Sequence, residues 1–198
     1  MKVLIILNGE CRNCTYLFNQ VKNYDKIICA DGGYKHLKEL GVKPDAVLGD
    51  FDSSSQPKDV QTVRFPVEKD MTDAEIAIEY AKKLGAEKIA LTCALGGRVD
   101  HEMANIFLLT AYENVSIEEE NCSVLCVEGE YKLEKHKGKT ISLIPFMKAT
   151  VKLEGFKYPL NGEINTGSTL TLSNIVEEDV ATINITEGRS LLIINHTI

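Results

Sequence analysis

The sequence predicts an α/β fold in which an N-terminal, mostly parallel sheet with helices on both faces is followed by a C-terminal antiparallel β-sandwich. Up to about residue 112, apolar runs alternate with helical patterns, which is typical of parallel strands joined by crossover helices. From about residue 121 the helical period disappears, and short β-rich runs recur at roughly ten-residue spacing. The 198 residues suffice for one large domain or two small ones, and we expect domains over 1–120 and 121–198.

The elements of the first domain follow from its apolar runs and its helical periods. Largely apolar runs predict strands buried on both faces, and these lie at 3–7, 26–30, 45–48 and 88–93. A further strand is expected at 62–65. The segments between the strands predict helices near 15–22, 34–40, 73–84 and 102–112.

Short runs rich in apolar and β-branched residues predict the strands of the second domain. They lie at 123–127, 140–146, 150–153, 169–172, 181–186 and 191–195. Glycines between the runs, such as Gly129 and Gly188, are expected to punctuate them as turns. The boundary between the domains is expected near 113–125, close to the three glutamates at 118–120.

Composition and charge exclude several classes of protein. Hydrophobic residues make up 44% and charged residues 26%, which excludes a wholly disordered chain. The 29 acidic and 22 basic residues give a net charge of −7, which argues against nucleic acid and anionic membranes as partners. No stretch approaches the roughly 18 apolar residues of a membrane helix. The short apolar N-terminus is typical of a first buried strand, so a cytoplasmic protein is expected.

The chain contains six cysteines. Cys29 and Cys93 lie in apolar, strand-like runs, so core packing is their expected role, and free buried thiols fit a reducing cytosol. Cys11 and Cys14 form a C-x-x-C pair. A zinc site needs a second pair at matching spacing, so a metal or redox role is not favoured for them.

Aspartates follow the predicted strands of the first domain, at the point where each strand ends. Asp31 follows the second strand, and later strands lead into the remaining acids, which are Asp50, Asp52, Asp70, Asp73 and Asp100. The carboxyl ends of parallel strands meet at one edge of a sheet, where ligands bind in folds of this kind. Two carboxylates about 4 Å apart repel by about 4 kcal/mol at an effective dielectric of 20. A hard divalent cation such as Mg²⁺ relieves this repulsion, so a Mg²⁺ site is expected at this edge.

Four of these acids, Asp50, Asp52, Asp70 and Asp73, also have a simpler explanation. Asp50 and Asp52 are two residues apart, so an extended backbone lets both share one ion, although a solvated turn also fits. Thr72 begins the capping box T-x-x-E at a predicted helix start. It therefore only caps the helix on the simpler interpretation, while Asp73 only complements the helix dipole. Asp70 lies before the cap, and its alternative is an exposed loop acid.

Gly96, Gly97 and Arg98 precede the last predicted helix of the first domain. Glycines before a helix N-terminus offer backbone N–H groups to an anion. The forked guanidinium of Arg98 suits phosphate oxygens, and a plain ion pair with a carboxylate is the alternative. His101 is given no catalytic role. Together with the acids, this helix start predicts an enzyme that acts on a Mg²⁺–nucleoside triphosphate, and the acceptor is left open.

At these residues the sequence resembles the thiamine pyrophosphokinase (thiamine diphosphokinase) family. The matching segments, in the order of the family, are Ala-Asp-Gly-Gly at 30–33, Gly-Asp-Phe-Asp-Ser at 49–53, Asp-Met-Thr-Asp at 70–73, Gly-Arg-Val-Asp-His at 97–101 and Leu-Ser-Asn at 172–174. They cover nearly the whole chain, and five modest motifs in order are specific. The architecture of the family, an α/β catalytic domain followed by a β-sandwich, agrees with the predicted division.

The resemblance implies transfer of the diphosphate of ATP to the hydroxyethyl group of thiamine, which gives thiamine diphosphate and AMP. It implies a homodimer whose active site lies at the subunit interface, with an ATP- and Mg²⁺-binding first domain and a thiamine-binding sandwich. The catalytic residues that match the Mg²⁺ and phosphate groups of the family are Asp50, Asp52, Asp70, Asp73 and Asp100, with Arg98 as the phosphate-side cation. The nucleotide side is matched by Asp31, Gly32, Gly33, Lys69, Thr72 and Gly97, and the thiamine side by Tyr158, Thr171, Ser173 and Asn174.

The chain departs from the family at two positions. Animal members place a Trp against the pyrimidine of thiamine, whereas this chain has no Trp. The matching residue is Tyr158, which can stack on a flat ring or can pack at a sandwich edge. Lys69 stands where animal members have a Gln.

Two other functions remain open. A Mg²⁺-dependent nucleotide phosphohydrolase would use the same acids with water as the nucleophile, and a nucleotide or thiamine sensor would keep the fold without turnover. The set of acids with Arg98 favours the kinase over the sensor, because binding alone needs fewer carboxylates.

Overall fold

The computed structural model describes residues 1–49, 60–64 and 70–196. The chain divides into two compact units, Met1–Glu120 (the first unit) and Asn121–Ile198 (the second unit). In the described ranges, helices and parallel strands lie in the first unit, and the second unit is built from antiparallel strands. No helix in these ranges is long and apolar enough to span a membrane.

The first unit contains a parallel sheet. Its strands are β1 (Lys2–Ile6), β2 (Lys26–Ala30), β3 (Ala46–Gly49), β4 (Gln61–Arg64), β5 (Lys88–Thr92) and β6 (Val115–Glu118). They lie in the order β6-β5-β1-β2-β3-β4, and each neighbouring pair is parallel. β1 is buried from Val3 onward, because a parallel sheet is covered on both faces. The predicted α/β architecture of this half is confirmed.

Helices cover both faces of this sheet. They are α1 (Cys14–Gln20), α2 (Tyr34–Leu40), α3 (Asp73–Lys83) and α4 (Val99–Ala111), with short 3₁₀ helices at Val21–Asn23 and Asp31–Gly33. Leu17 of α1 and Leu37 of α2 pack in one cluster with Leu4 and Ile6 of β1. α3 contacts β1, β2 and β3 on the opposite face, to which the alternation along β1 points Ile5.

The chain leaves β1 and β5 in opposite directions along the sheet. These strands are neighbours, but the chain passes from β1 to β2 on one side and from β5 to β6 on the other. Such a reversal opens a crevice at the carboxyl ends of the strands, where open α/β sheets bind their ligands. The segments 7–12 and 93–98 therefore flank the expected binding crevice.

The second unit is a bent antiparallel sheet. Its strands are β7 (Cys122–Glu134), β8 (Thr140–Glu154), β9 (Leu160–Asn165), β10 (Asn174–Ile175) and β11 (Val180–Asn195). β11 lies between β7 and β8, and β9 and β10 pair with β8. The pairing of β11 with β7 shifts register between Ile185 and Ser190, and Ile183 and Leu192, on either side of the shift, share one core. Two half-sheets that enclose one core form a sandwich, as the sequence predicts.

Several predicted strands are joined in the structure. The runs at 140–146 and 150–153 form the single strand β8, those at 181–186 and 191–195 form β11, and the run at 123–127 extends into the longer β7. Gly129 and Gly188 lie inside β7 and β11 with φ of 64° and 78°. These glycines therefore bend a continuing strand, and the prediction that they form turns between strands is wrong.

The strand predicted at 169–172 is wrong, because residues 170–173 form a turn. Thr171 points inward and is 2% exposed, and the backbone N–H of Leu143 donates to its carbonyl at 3.0 Å. The alternation of Thr and Leu at 169–172, which suggests a strand, thus reflects packing of this turn along β8. Conversely, β6 and β9 are not predicted, since β6 is short and the sequence of β9, Leu-Asn-Gly-Glu-Ile-Asn, is mostly polar.

Candidate functional site

A cavity of about 440 Å³ lies in the first unit, beyond the carboxyl ends of β1, β2 and β5. Its walls come from the segments after these strands and from the first turns of α3 and α4. Five of the predicted site residues line it, namely Asp31, Thr72, Asp73, Gly97 and Arg98. The cavity thus occupies the crevice at the reversal of chain direction, and its volume is typical of small-molecule sites.

Asp31 and Asp73 place two carboxylates in the cavity wall. Asp31 directly follows β2 with a positive φ of 47°, and Asp73 is the first residue of α3. The hydroxyl of Thr72 accepts a hydrogen bond from the N–H of Glu75 at 3.2 Å. Thr72 therefore caps α3, as the capping pattern predicts, and it also forms part of the cavity wall.

Gly32 and Gly33 let the segment after β2 approach β1 closely. A Cβ on Gly33 would lie within 3.0 Å of the carbonyl oxygens of Ile6 and Leu7, and a Cβ on Gly32 would collide with the side chain of Asn8. Asn8 lines the cavity and accepts a hydrogen bond from Nζ of Lys35 at 2.7 Å. Packing thus already accounts for both glycines, and their contact with a nucleotide stays a prediction.

Arg98 and Asp100 form a two-pronged ion pair. Nη2 of Arg98 lies 2.6 Å from Oδ2 of Asp100, and Nε lies 3.2 Å from Oδ1. The hydrogen bond from Arg98 is the main cause that lowers the pKa of Asp100, and the same bond raises the pKa of Arg98. Both side chains are largely exposed, and Arg98 lines the cavity whereas Asp100 does not. The ion pair considered as the alternative for Arg98 is therefore present beside the cavity.

The backbone N–H of Gly97 donates to Oε1 of Glu102 at 2.7 Å. The sequence predicts that Gly97 offers this amide to an anion, and the acceptor is a carboxylate from the first turn of α4. Glu102 lines the cavity, as does His101. Glu102 is not predicted from the sequence, and the signal that would find it is an acid in the first helical turn after the Gly-Gly-Arg segment.

Asp50, Asp52 and Lys69 lie outside the described residues, so their roles stay predictions. Asp70 is exposed and precedes the cap of α3. Within the described residues, no group of three or more His, Cys, Asp or Glu side chains could hold a metal ion. Mg²⁺ usually takes one or two carboxylates, and phosphate oxygens and waters complete its shell. The pair of cavity aspartates has the oxygen chemistry that this ion requires.

In the second unit, Asn174 holds the backbone that carries Tyr158. Its Oδ1 accepts hydrogen bonds from the N–H groups of Tyr158 at 3.1 Å and Ile175 at 2.9 Å, and its Nδ2 donates to the carbonyl of Tyr158 at 2.8 Å. Tyr158 is 57% exposed, and Nζ of Lys157 lies 5.6 Å from the centroid of its ring. The ring is therefore carried on an anchored backbone and is accessible for stacking.

The turn that carries Thr171 and Ser173 is fastened to β8. The hydroxyl of Thr171 donates to the carbonyl of Leu143 at 2.5 Å. Ser173 has a φ of 56°, and its N–H donates to Oγ of Ser142 at 3.1 Å. These bonds keep the turn in place, and contact of either side chain with thiamine stays a prediction.

The C-x-x-C pair lies close to the cavity. Burial is the main cause that raises the pKa of the Cys11 thiol, and the neighbouring Cys14 adds to this shift. All six cysteines are free. Cys29 and Cys93 are buried in the core, as the sequence predicts.

Asn8 and Asn105 line the cavity without being predicted, and His36 contacts Gly9 of its wall. Asn8 directly follows the apolar run of β1, so the rule that finds the aspartates would also find it. His36 is buried, and its Nε2 lies 3.0 Å from the carbonyl oxygen of Gly9, while burial lowers its pKa. Nδ2 of the buried Asn105 donates to the carbonyl of Ala94 at 2.9 Å. A single His or Asn on a helix carries no comparable signal.

Two family models match this chain. The model of the thiamin pyrophosphokinase catalytic domain matches residues 18–119, and that of the thiamin pyrophosphokinase vitamin B1 binding domain matches residues 113–189. The chain belongs to the thiamine pyrophosphokinase family. The resemblance that the sequence motifs suggest is thereby confirmed.

Relatives within the thiamine pyrophosphokinase family match over most of the chain. Thiamine pyrophosphokinase of Bacillus subtilis (strain 168) is 33% identical over 212 residues, which cover 98% of each protein. Thiamine pyrophosphokinase 1 of Oryza sativa subsp. japonica is 28% identical, over 83% of this chain and 76% of that protein.

Solved structures of the thiamine pyrophosphokinase family share the fold. The crystal structure of thiamine pyrophosphokinase from Bacillus subtilis has a TM-score of 0.86 at 26% identity and covers all of both chains. That of thiamin pyrophosphokinase from Geobacillus thermodenitrificans has a TM-score of 0.84 at 29% identity and covers 100% of this chain and 98% of that one.

Proposed function

We propose that this chain transfers the diphosphate of ATP to the hydroxyethyl group of thiamine and releases thiamine diphosphate and AMP. The observation that carries the proposal is the cavity of the first unit, which brings Arg98 together with Asp31 and Asp73 at the carboxyl ends of parallel strands. A relative named thiamine pyrophosphokinase that matches over 98% of both chains supports it. A phosphate-binding cation beside oxygen donors is what a Mg²⁺–ATP substrate requires.

ATP occupies this cavity with its phosphates toward Gly97 and Arg98. The bonds of Arg98 to Asp100 use Nε and Nη2, so the N–H groups of Nη1 face a phosphate oxygen while Asp100 fixes the plane of the guanidinium. Gly97 presents its amide at the start of α4, once a phosphate oxygen replaces Glu102 as its acceptor. Positive charge is thus held where the diphosphate is transferred.

Asp31 and Asp73 are the residues of the cavity wall that would hold Mg²⁺. The other acids of the predicted metal set, Asp50, Asp52, Asp70 and Asp100, stay predictions. When bound, Mg²⁺ neutralises charge on the phosphate oxygens and makes the β-phosphorus a better electrophile.

The thiamine hydroxyl oxygen attacks the β-phosphorus in line. A new oxygen–phosphorus bond forms while the bond from the β-phosphorus to the oxygen bridging the α-phosphorus breaks, so AMP leaves with that oxygen. A cavity carboxylate accepts the hydroxyl proton and passes it to water. The chain contributes mainly orientation and charge stabilisation.

The first unit serves as the ATP- and Mg²⁺-binding domain and the second unit as the thiamine-binding domain. The exposed ring of Tyr158 supports this division, because it offers a flat surface to the pyrimidine of thiamine. The match of residues 113–189 to a vitamin B1 binding domain also supports it. The net charge of −7 also favours binding of the cationic thiazolium ring of thiamine.

The protein acts as a homodimer in the cytoplasm. An exposed apolar face of the second unit supports the dimer: Ile144 and Phe146 of β8 and Leu170 and Leu172 of the adjoining turn are 36–63% exposed. A second copy would bury this face. An active site at the subunit interface, which the resemblance implies, belongs to the same proposal, and the buried free thiols support the reducing compartment.

Product analysis tests the function. The purified chain is incubated with Mg²⁺–ATP, with and without thiamine, and the nucleotides and thiamine species are separated by chromatography. AMP and thiamine diphosphate in equal amounts, formed only when thiamine is present, are expected. Phosphate release without thiamine would instead identify a phosphohydrolase, and binding without any product would identify a sensor.

A further inference from the structure

Glu119 is a carboxylate directed at the protein backbone. It follows β6, the neighbour of β5, and its Oε1 accepts hydrogen bonds from the N–H of Ala94 at 2.8 Å and of Leu95 at 3.3 Å. Burial raises its pKa, and the N–H groups of Ala94, Leu95 and Cys93 act in the opposite direction. Burying a carboxylate is costly unless it is hydrogen-bonded. Because the hydrogen bonds of Glu119 go to backbone amides, we interpret its role as holding those amides in place.

The amides belong to the segment 93–98, which connects β5 to α4 and forms one wall of the cavity. This segment has irregular backbone, with φ of 51° at Cys93 and 81° at Gly96. The segment belongs to no strand, so groups other than a neighbouring strand must form hydrogen bonds with its backbone N–H and carbonyl groups. Gly97 and Arg98, the phosphate-side residues, lie at its end.

Three carbonyls of the segment accept hydrogen bonds from two other directions. Nδ2 of Asn105 donates to the carbonyl of Ala94 at 2.9 Å. The N–H of Gly9 donates to the carbonyl of Cys93 at 2.8 Å, and that of Glu10 donates to the carbonyl of Leu95 at 3.3 Å. Carbonyls are therefore held by the segment after β1 and by α4, and Glu119 supplies an acceptor for the N–H groups of Ala94 and Leu95.

We propose that Glu119 is a positioning residue for the transfer reaction, which fixes the segment 93–98 so that Gly97 and Arg98 face the phosphates of ATP. The inference rests on the proposed function for its catalytic consequence. Its structural part, the immobilisation of the segment by one carboxylate, is independent of the substrate. Sequence alone places Glu119 in an acidic run at the domain boundary and gives no sign of this role.

Two substitutions separate positioning from charge. In Glu119→Ala the N–H groups of Ala94 and Leu95 lose their acceptor, so the segment should open more often. In Glu119→Gln a side-chain carbonyl oxygen remains at the position of Oε1 and can accept both hydrogen bonds. Glu113→Ala is the matched control, because it removes an exposed acid from the connection between α4 and β6.

Amide hydrogen exchange and steady-state kinetics are measured on each full-length variant whose circular dichroism matches that of the parent. For Glu119→Ala we expect faster exchange over 93–98 and a fall of about 10- to 100-fold in kcat/KM for ATP, with the KM for thiamine unchanged. Glu119→Gln and Glu113→Ala should stay within about twofold of the parent.

The proposal is overturned if Glu119→Ala exchanges at the parental rate over 93–98, if Glu119→Gln is as impaired as Glu119→Ala, or if both KM values rise together. Failure of the proposed function has a different signature. In that case the parent itself makes no thiamine diphosphate, while the exchange rates still report whether Glu119 immobilises the segment.

Discussion

Replacing Gly33 with alanine should destabilise the first unit by forcing a methyl group into the backbone of β1. Gly33 has an ordinary φ of −59°, so the substitution itself introduces no backbone strain. A Cβ at this position would lie 2.8 Å from the carbonyl carbon of Ile6 and 2.9 Å from the carbonyl oxygen of Leu7. Both distances are shorter than 3.0 Å, and Cβ atoms in proteins essentially never approach other heavy atoms so closely. β1 pairs with β2 on one side and β5 on the other, so it cannot retreat without disturbing both ladders.

Overpacking of a close-packed core typically costs about 1–3 kcal/mol. Because the obstacle is paired backbone and not a flexible side chain, we expect the upper part of that range, about 2–3 kcal/mol. At about 2–4 °C per kcal/mol for a chain of this size, the Tm should fall by roughly 4–12 °C. The assay is thermal unfolding followed by the helical signal in circular dichroism, since the helices of the described residues all lie in the first unit.

Gly97→Ala is the matched control in the same unit. A Cβ on Gly97 would have its nearest neighbour at 3.9 Å, on Gly9, so the Tm should stay within about 2 °C of the parent. Gly97 lines the cavity, so this variant should lose affinity for ATP without losing stability. A Gly33→Ala protein with the parental Tm would refute the close approach of the segment after β2 to β1.

Three further predictions concern single side chains. Arg98→Ala should lower kcat/KM for ATP by about 10², whereas Lys137→Ala, which breaks a similarly exposed ion pair, should leave it unchanged; equal effects would exclude Arg98 from the site. Burial lowers the pKa of His36 in the folded protein, whereas in the unfolded chain His36 has an ordinary pKa of about 6.5. Below this pH the unfolded chain therefore binds more protons than the folded protein, and stability falls as the pH drops. The Tm of the parent should therefore fall more between pH 7 and pH 5 than that of His36→Gln, and identical slopes would contradict this. Asn174→Ala should raise the KM for thiamine about tenfold and leave that for ATP unchanged, because Tyr158 loses its backbone anchor; a rise in both would contradict a thiamine-side role.

Strands β1, β2, β3 and β5 of the first unit are predictable because they are buried on both faces. A run such as Val3 to Ile6 has no polar residue to interrupt it, so the run and the strand nearly coincide. The second unit is harder, because its strands bend. Gly188 stands inside β11 with a φ of 78°, and a Cβ there would collide with the carbonyl of Lys148. Sequence records the glycine, but only the partner strand shows that it bends a strand and does not end one.

The contrast between local sequence patterns and contacts that form only in the folded chain also explains how much of the site could be predicted. Asp31, Asp73 and Arg98 are found because the carboxyl ends of parallel strands lie at one edge, and this rule needs only strand positions. Glu119 and Asn105 act through bonds to Ala94, from 25 and 11 residues away in the chain. No local pattern encodes such a partner, because the contact exists only after β5, β6 and α4 have packed.

The position of β11 has a consequence for synthesis on the ribosome. β11 is the last strand of the described chain, yet it lies between β7 and β8 and joins them. A nascent chain can complete the parallel sheet once residue 120 has emerged, but its sandwich must wait for the segment after residue 180. Until then β7 and β8 expose unpaired edges, which are open to pairing with other chains. Translational pauses within this interval should therefore increase the demand for chaperones.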